Sequence, residues 1–174
     1  MLFGMRLNSF EAIITALNTA NVRYLVAGGL AVNAHGYLRY TKDADLVIEL
    51  LPENILAALH ALGELGYRPA IPVKAEDFAD RETRESRARD KGMKVFQLFS
   101  DSHPETPINI FVEHPFDFEQ EYACALQEAL VPGQNAFFVC LETLISMKQA
   151  VGRPRDLDDA EHLRILLEER NSEK

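Results

Sequence analysis

Apolar positions along the chain fall into two rhythms, one helical and one strand-like, and their alternation sets out the fold. Phe10, Ile13, Ile14 and Leu17 recur at helical spacing, which predicts an amphipathic helix over 8–20 with Asn8 or Ser9 as N-cap. A β-rich run over 23–27 follows, then a tight helix of small residues over 28–34 and a second apolar strand over 44–50. Pro52 opens a helix running to about residue 65, with Ile55, Leu56, Leu59 and Leu62 as its core face and Gly66 as its C-cap. Residues 67–71 read as a short strand. Two more strands, over 95–99 and 107–112, are joined by the turn-rich 101–106, and Asn109, Phe111 and Glu113 share one face of the second. Pro132-Gly133 marks a hairpin between strands over 126–131 and 136–140. Helices over 141–151 and 156–169 are separated by Gly152 and Pro154, and the polar tail from Arg170 onward is expected to fray.

This order predicts an α/β (α+β) fold: a small, twisted mixed sheet flanked by helices, with the C-terminal helices packed alongside. At 174 residues the chain reads as a single domain, 1–140 forming the sheet core and 141–174 a helical part. An apolar fraction of 47% builds a real core and excludes a disordered chain. No run approaches the roughly 20 apolar residues that span a bilayer. Residues 1–6 do not read as a signal peptide, so no membrane partner is expected and the location is cytoplasmic. Cys124 and Cys140 form no CxxC and have no histidine at ligand spacing, which favours free thiols in a reducing compartment. A formal net charge of −9 argues against coating nucleic acid by bulk charge, though it leaves room for a local basic groove. The charged segment 76–91 supports two readings: a solvated helix laced with i,i+4 pairs, or a stripe of Arg81, Arg84 and Arg87 facing an anionic substrate.

The chemistry concentrates in 26–49, VAGGLAVNAHGYLRYTKDADLVIE. Gly28 and Gly29 let the backbone approach a phosphate, and the helix that follows supplies oriented N–H donors. Asp43 and Asp45 alternate with Ala44, so both carboxylates leave one face. Close carboxylates repel unless a cation sits between them, and beside a phosphate cradle that cation is Mg²⁺. Either motif alone is weak; together on one strand–GG–helix–strand unit they point to a metal-dependent nucleotidyltransferase. Lys148 falls within the apolar stripe of Leu141, Leu144, Ile145 and Val151, where a lysine needs an anionic partner or snorkels to the surface. Asp156 and Asp159 are either cap and first-turn acids of the last helix or part of the site, and Arg153 and Arg155 either contact phosphate or pair with those acids. His35 reads better as a satisfied core or surface histidine than as a pocket residue.

The pattern GG-x(9)-R-x-T-x-D-x-D resembles the nucleotidyltransferase superfamily of the DNA polymerase β type, and more narrowly the AbiEii-like and related small bacterial nucleotidyltransferases, many of them toxin–antitoxin components. PINIFVEHPFDFE (107–119) lies where that family's third catalytic strand is expected. LETLISMKQAVGRPRDLDDAEHL (141–163) looks like its Lys motif followed by an R-x-x-D-x-x-D segment. The likeness runs over 24–163. It implies Asp43, Asp45 and Lys148 as catalytic residues, with Mg²⁺, or Mn²⁺ in its place, on Asp43 and Asp45. It implies Gly28, Gly29, Arg39, Thr41, Lys148 and Arg153 as nucleotide-binding residues, with Asp156 and Asp159 bordering the site. The family's third carboxylate falls at Asn109, which can offer a metal one neutral oxygen but cannot act as a base. Glu113 lies roughly 13 Å further along the strand, too far to replace it. The implied reaction transfers NMP from an NTP to a hydroxyl acceptor, either an RNA end such as tRNA or a protein. A cognate antitoxin is then a partner, and Arg81, Arg84 and Arg87 form the acceptor groove. The alternatives are a small-molecule acceptor, as in antibiotic-modifying relatives, and a catalytically silent binding module of the same fold.

Overall fold

A computed structural model describes residues 7–173; residue 174 and the stretch 1–6, read above as no signal peptide, lie outside the described residues. The helix α1 (Leu7–Thr19) leads into β1 (Tyr24–Ala27), which passes directly into α2 (Gly28–His35). Then come β2 (Ala44–Ile48), α3 (Pro52–Glu64) and β3 (Tyr67–Pro69). Two short helices, α4 (Ala75–Ala79) and α5 (Arg81–Lys91), precede β4 (Val95–Ser100) and β5 (Ile108–Phe111). The chain closes with α6 (Phe118–Cys124), the hairpin β6 (Leu126–Val131) and β7 (Gln134–Phe138), and the helices α7 (Leu141–Val151) and α8 (Pro154–Ser172).

Among the described residues the strands form one seven-stranded sheet in the order β3-β4-β5-β2-β1-β7-β6. The pairs β2/β5 and β1/β7 are parallel and the remaining neighbours antiparallel, so the sheet is mixed, as the sequence predicts. One face presents Leu46, Ile110 and Phe96 in register. These residues are buried with Phe10, Ile13, Ile14 and Leu17 of α1 and Ile55, Ala58 and Leu62 of α3. Phe78 of α4 stacks on Phe96, with ring centroids 4.3 Å apart. Each large side chain fully buried there contributes about 1.5–3 kcal/mol of apolar transfer. The other face carries Asp45, Asn109 and Gln97 in one cross-strand row, and it is the face that matters for chemistry.

Several expectations are corrected. The single helix over 76–91 is two, because Asp80 adopts an extended backbone and its carboxylate accepts the Thr83 N–H (2.8 Å), capping α5. The helix α6 was not foreseen, although Asp117 caps it through the Gln120 N–H (3.0 Å), in the D-x-x-Q arrangement of a capping box. The tail does not fray at Arg170: α8 continues to Ser172, and Arg170 donates to the His35 carbonyl at 2.8 Å. Val151 and Leu56 do not belong to buried stripes, being 57% and 39% exposed. Cys124 and Cys140 are not free thiols but a disulfide, their Cα atoms 6.4 Å apart. The hairpin returns the chain from the end of α6 to the start of α7 and so brings the two cysteines together. A reducing compartment therefore loses its support from the cysteines. Among the described residues no helix is long and apolar enough to cross a membrane.

Candidate active site

The hollow that gathers the sequence-predicted residues opens where β1 turns into α2. Gly28 has φ +61°, which lets the strand enter the helix without an intervening loop. Space matters as much as angle. A Cβ on Gly28 would lie 2.0 Å from Asp45 Oδ2, and one on Gly29 would lie 2.5 Å from Thr41 Oγ1. The glycines thus let Asp45 and Thr41 close directly against the start of α2. Ala27, the N-cap, offers no side-chain acceptor, so the first amides of α2 are left for a ligand or water.

Gly29, Arg39, Thr41, Asp43, Asp45 and Lys148 line one hollow of about 460 Å³, with Arg153, Arg155 and Asp156 on its α8 side. Asp43, immediately before β2, and Asp45, within it, both face this space. Burial raises the pKa of Asp45, the Asn109 hydrogen bond lowers it, and the neighbouring Asp43 charge raises it again; the net direction is up. A desolvated carboxylate beside a second carboxylate, in a hollow that also holds cationic side chains, fits a divalent cation with a phosphate. Asn109 does not complete that donor set. Its Nδ2 donates to Asp45 Oδ1 (3.0 Å) and its Oδ1 accepts from Gln97 Nε2 (3.3 Å), so it faces Asp45 as a donor.

Asp159 is the hub of the cationic side. It is fully buried and pairs with Lys148 Nζ (2.8 Å) and Arg39 Nε (2.7 Å). Asp156 also receives Lys148 (3.0 Å) and Arg153 (2.6 Å). Burial pushes the Asp156 pKa up, but the Arg153 and Lys148 hydrogen bonds outweigh it and hold the carboxyl below its usual range. Neither acid is the N-cap of α8, which is Arg153, although Asp156 does stand in its first turn. Instead they hold Lys148, only 9% exposed at its side chain, and Arg39 at the wall of the hollow. Arg153 does pair with Asp156, whereas Arg155 donates to the distant Tyr40 carbonyl and to neither acid.

Other residues are not brought to the hollow. Arg81 and Arg84 line a separate depression with Glu113 and His114, and Arg87 joins neither. Arg84 is buried, donating to the Phe78 (2.9 Å) and Ala79 (3.2 Å) carbonyls at the end of α4, and Arg81 pairs with Glu85 at 2.6 Å. His35 is buried and donates to the Val139 carbonyl (2.8 Å), a core histidine. Two supporting residues escaped the sequence reading. Asn33, buried in α2, accepts the Arg39 N–H (2.9 Å); its signal was a lone amide among small apolar residues. Glu121 of α6 accepts the Cys140 N–H (2.5 Å) and the Thr143 hydroxyl (2.7 Å), anchoring the first turn of the helix that carries Lys148.

The sequence matches no family model and no curated protein. Solved structures do resemble the chain. The crystal structure of ANT(2'')-Ia with adenylyl-2''-tobramycin matches it with a TM-score of 0.56 at 12% identity, over 96% of this chain and 97% of that one. The solution structure of the same antibiotic-resistance factor gives 0.54 at 14% identity, over 95% and 92%. A presumed nucleotidyltransferase from Thermotoga maritima gives 0.54 at 17%, over 94% and 92%. The fold is that of these nucleotidyltransferases.

Proposed function

We propose that the chain is a nucleotidyltransferase that moves NMP from an NTP to an acceptor hydroxyl. The observation that carries the reading is the single hollow uniting Asp43 and Asp45 with Gly29, Arg39 and Lys148. Asp43 and Asp45 would hold a divalent cation, Mg²⁺ or Mn²⁺, which when bound neutralises phosphate charge and polarises the α-phosphate. The α2 amides at Gly28 and Gly29 receive phosphate oxygens, and Lys148 and Arg39, fixed by Asp159, supply positive charge without reorganising. Thr41, packed on Gly29, and Arg153 complete the nucleotide contacts. The acceptor oxygen attacks the α-phosphorus, the α–β phosphoanhydride bond breaks, and pyrophosphate leaves. Asn109 cannot take the hydroxyl proton, so it passes to water.

The acceptor is where the structure changes the weighting. An RNA or protein acceptor, an antitoxin partner and the AbiEii-like assignment rest on resemblance of sequence motifs. Of the arginines meant for RNA, Arg84 is engaged with α4 and Arg81 with Glu85, and both line a depression apart from the hollow. The complex of ANT(2'')-Ia with adenylyl-2''-tobramycin supports a small acceptor instead. A second reading, nucleotide binding without transfer, is favoured by Asn109 donating to Asp45 where a base is wanted.

The test is incubation with each α-labelled NTP, Mg²⁺ and, separately, small alcohols, total tRNA and lysate protein. Label transfer by the wild type should fall by about two to three orders of magnitude in Asp43→Asn plus Asp45→Asn. Undiminished transfer in that variant removes the site assignment. Retained nucleotide binding with no transfer to any acceptor selects the second reading.

A further inference from the structure

Beside the nucleotide hollow lies a second, larger groove of about 900 Å³ that the proposed reaction has not yet used. Phe111, Pro115 and Phe116 form one wall, and Met147, Ala150 and Val151 of α7 form the other. Two features tie it to the hollow. Phe111 stands two residues beyond Asn109 on β5, so it leaves the same face of the sheet roughly 7 Å further along. On α7, Met147 immediately precedes Lys148, and Val151 lies one turn beyond it. The groove and the hollow are therefore neighbouring stretches of one strand face and one helix.

The lining is unusual for a surface. Val151 is 57% exposed although its spacing on α7 places it with buried leucines, and Ala150 beside it is also exposed. A monomer rarely leaves such an apolar cleft next to a polar site without use. Polar groups are few. The Thr143 hydroxyl is committed to Glu121 and the Ser146 hydroxyl to the Glu142 carbonyl, which leaves the charges of Lys94 and Glu142. One lysine opposite one glutamate in a chain of net charge −9 does not make a phosphate-backbone track. The volume falls within the ~300–1,000 Å³ typical of small-molecule sites, whose walls are mainly apolar and aromatic with a few polar groups.

We propose that this groove is the acceptor subsite, and that the acceptor is a small hydroxyl-bearing molecule with an apolar, ring-containing body, uncharged or cationic. The proposal rests on the nucleotidyltransferase reading above. The ring lies between Phe111, Phe116 and the exposed side of α7, while the hydroxyl points along β5 toward the α-phosphate held over Asp45.

The experiment separates the two readings by using two ligands. Binding of 2-naphthylethanol, a ring-bearing alcohol, is followed by saturation-transfer NMR, and binding of a non-hydrolysable ATP analogue with Mg²⁺ is followed by calorimetry. The variants are Ala150→Trp, which fills the groove from an exposed helix position, and Phe116→Ser, which removes an aromatic wall; neither residue belongs to the nucleotide hollow. The expected result is naphthylethanol binding to the wild type, a loss of about tenfold or more in both variants, and nucleotide affinity within twofold throughout. Sorbitol, a polar alcohol, should not compete. With α-labelled NTP, ring-bearing alcohols should accept label and Ala150→Trp should abolish that transfer. Naphthylethanol binding unchanged in Ala150→Trp overturns the proposal. So does nucleotide affinity falling in step with it, which would make the groove the nucleotide's base pocket. Label passing to tRNA equally well in wild type and Ala150→Trp also overturns it. If the wild type binds the alcohol and not the nucleotide, the nucleotidyltransferase reading fails, and the acceptor role fails with it.

Discussion

At the residue scale, the glycines and the acids set the limits. Gly28→Ala forces an L side chain into φ +61° and against Asp45 Oδ2, a cost of about 1–3 kcal/mol. Urea unfolding should show that loss, and Mg²⁺–NTP affinity should fall with the displaced carboxylate. Gly63 is the control, since a Cβ there meets nothing within 4 Å; Gly63→Ala in α3 should stabilise by about 0.5–1 kcal/mol. Asp159→Asn leaves Arg39 without its buried counter-charge and Lys148 with Asp156 alone, and should cost about 3–5 kcal/mol. His35 gives the pH test. Burial depresses its pKa, so the folded chain keeps it neutral while the unfolded imidazole titrates near about 6.5. Its contribution is complete above that pH and is lost as pH falls toward the folded value, with a slope of at most about 1.4 kcal/mol per unit. The stability gap between wild type and His35→Gln should therefore narrow from pH 7 to pH 5, read by denaturant melts at each pH. These residues were unequally legible from sequence. Gly28, Gly29, Asp43 and Asp45 lie close along the chain, and their strand–helix–strand context brought them together on paper. The pairing of Asp159 with Arg39 spans 120 positions, which no local rhythm encodes.

At the scale of elements, periodicity located α1, α3, α7 and the strands to within a few residues, because the helices and the central strands β1, β2 and β5 carry buried apolar positions at regular spacing and Pro132-Gly133 marks the hairpin. It failed where the pattern is short or polar. The helix α6 has seven residues and was missed despite its cap, and Asp80 splits a charged run whose composition looks uniformly helical. The disulfide was invisible because the two cysteines meet only once α6 and the β6–β7 hairpin have folded. It closes a loop between residues 16 apart, for which chain entropy gives about 3 kcal/mol. Reduction, or Cys124→Ser, should lower the melting temperature of the purified chain. Glu121 continues to cap α7 without the bond, so nucleotide affinity should change far less than stability.

At the scale of the molecule, the sheet divides the labour between its faces. Leu46, Ile110 and Phe96 bury one face under α1, α3 and α4, which leaves Asp45, Asn109 and Phe111 on the other, beneath α7 and beside α8. A ligand that bridges α2, β2 and α7 should therefore stabilise the whole fold. At a hundred times its dissociation constant, Mg²⁺–NTP should add about 2.7 kcal/mol, an increment lost in Asp43→Asn plus Asp45→Asn. The most direct test of a nucleotide and a divalent ion sharing the diglycine turn is amide NMR of the labelled chain, titrated with Mn²⁺ and a non-hydrolysable ATP analogue. The amides of Gly28, Gly29 and Asp45 should broaden first, and the effect should vanish in the double aspartate variant. Broadening centred elsewhere, such as the hollow lined by Asn18 and Asn135, or persisting at Gly28 and Gly29 without the two carboxylates, would contradict the account.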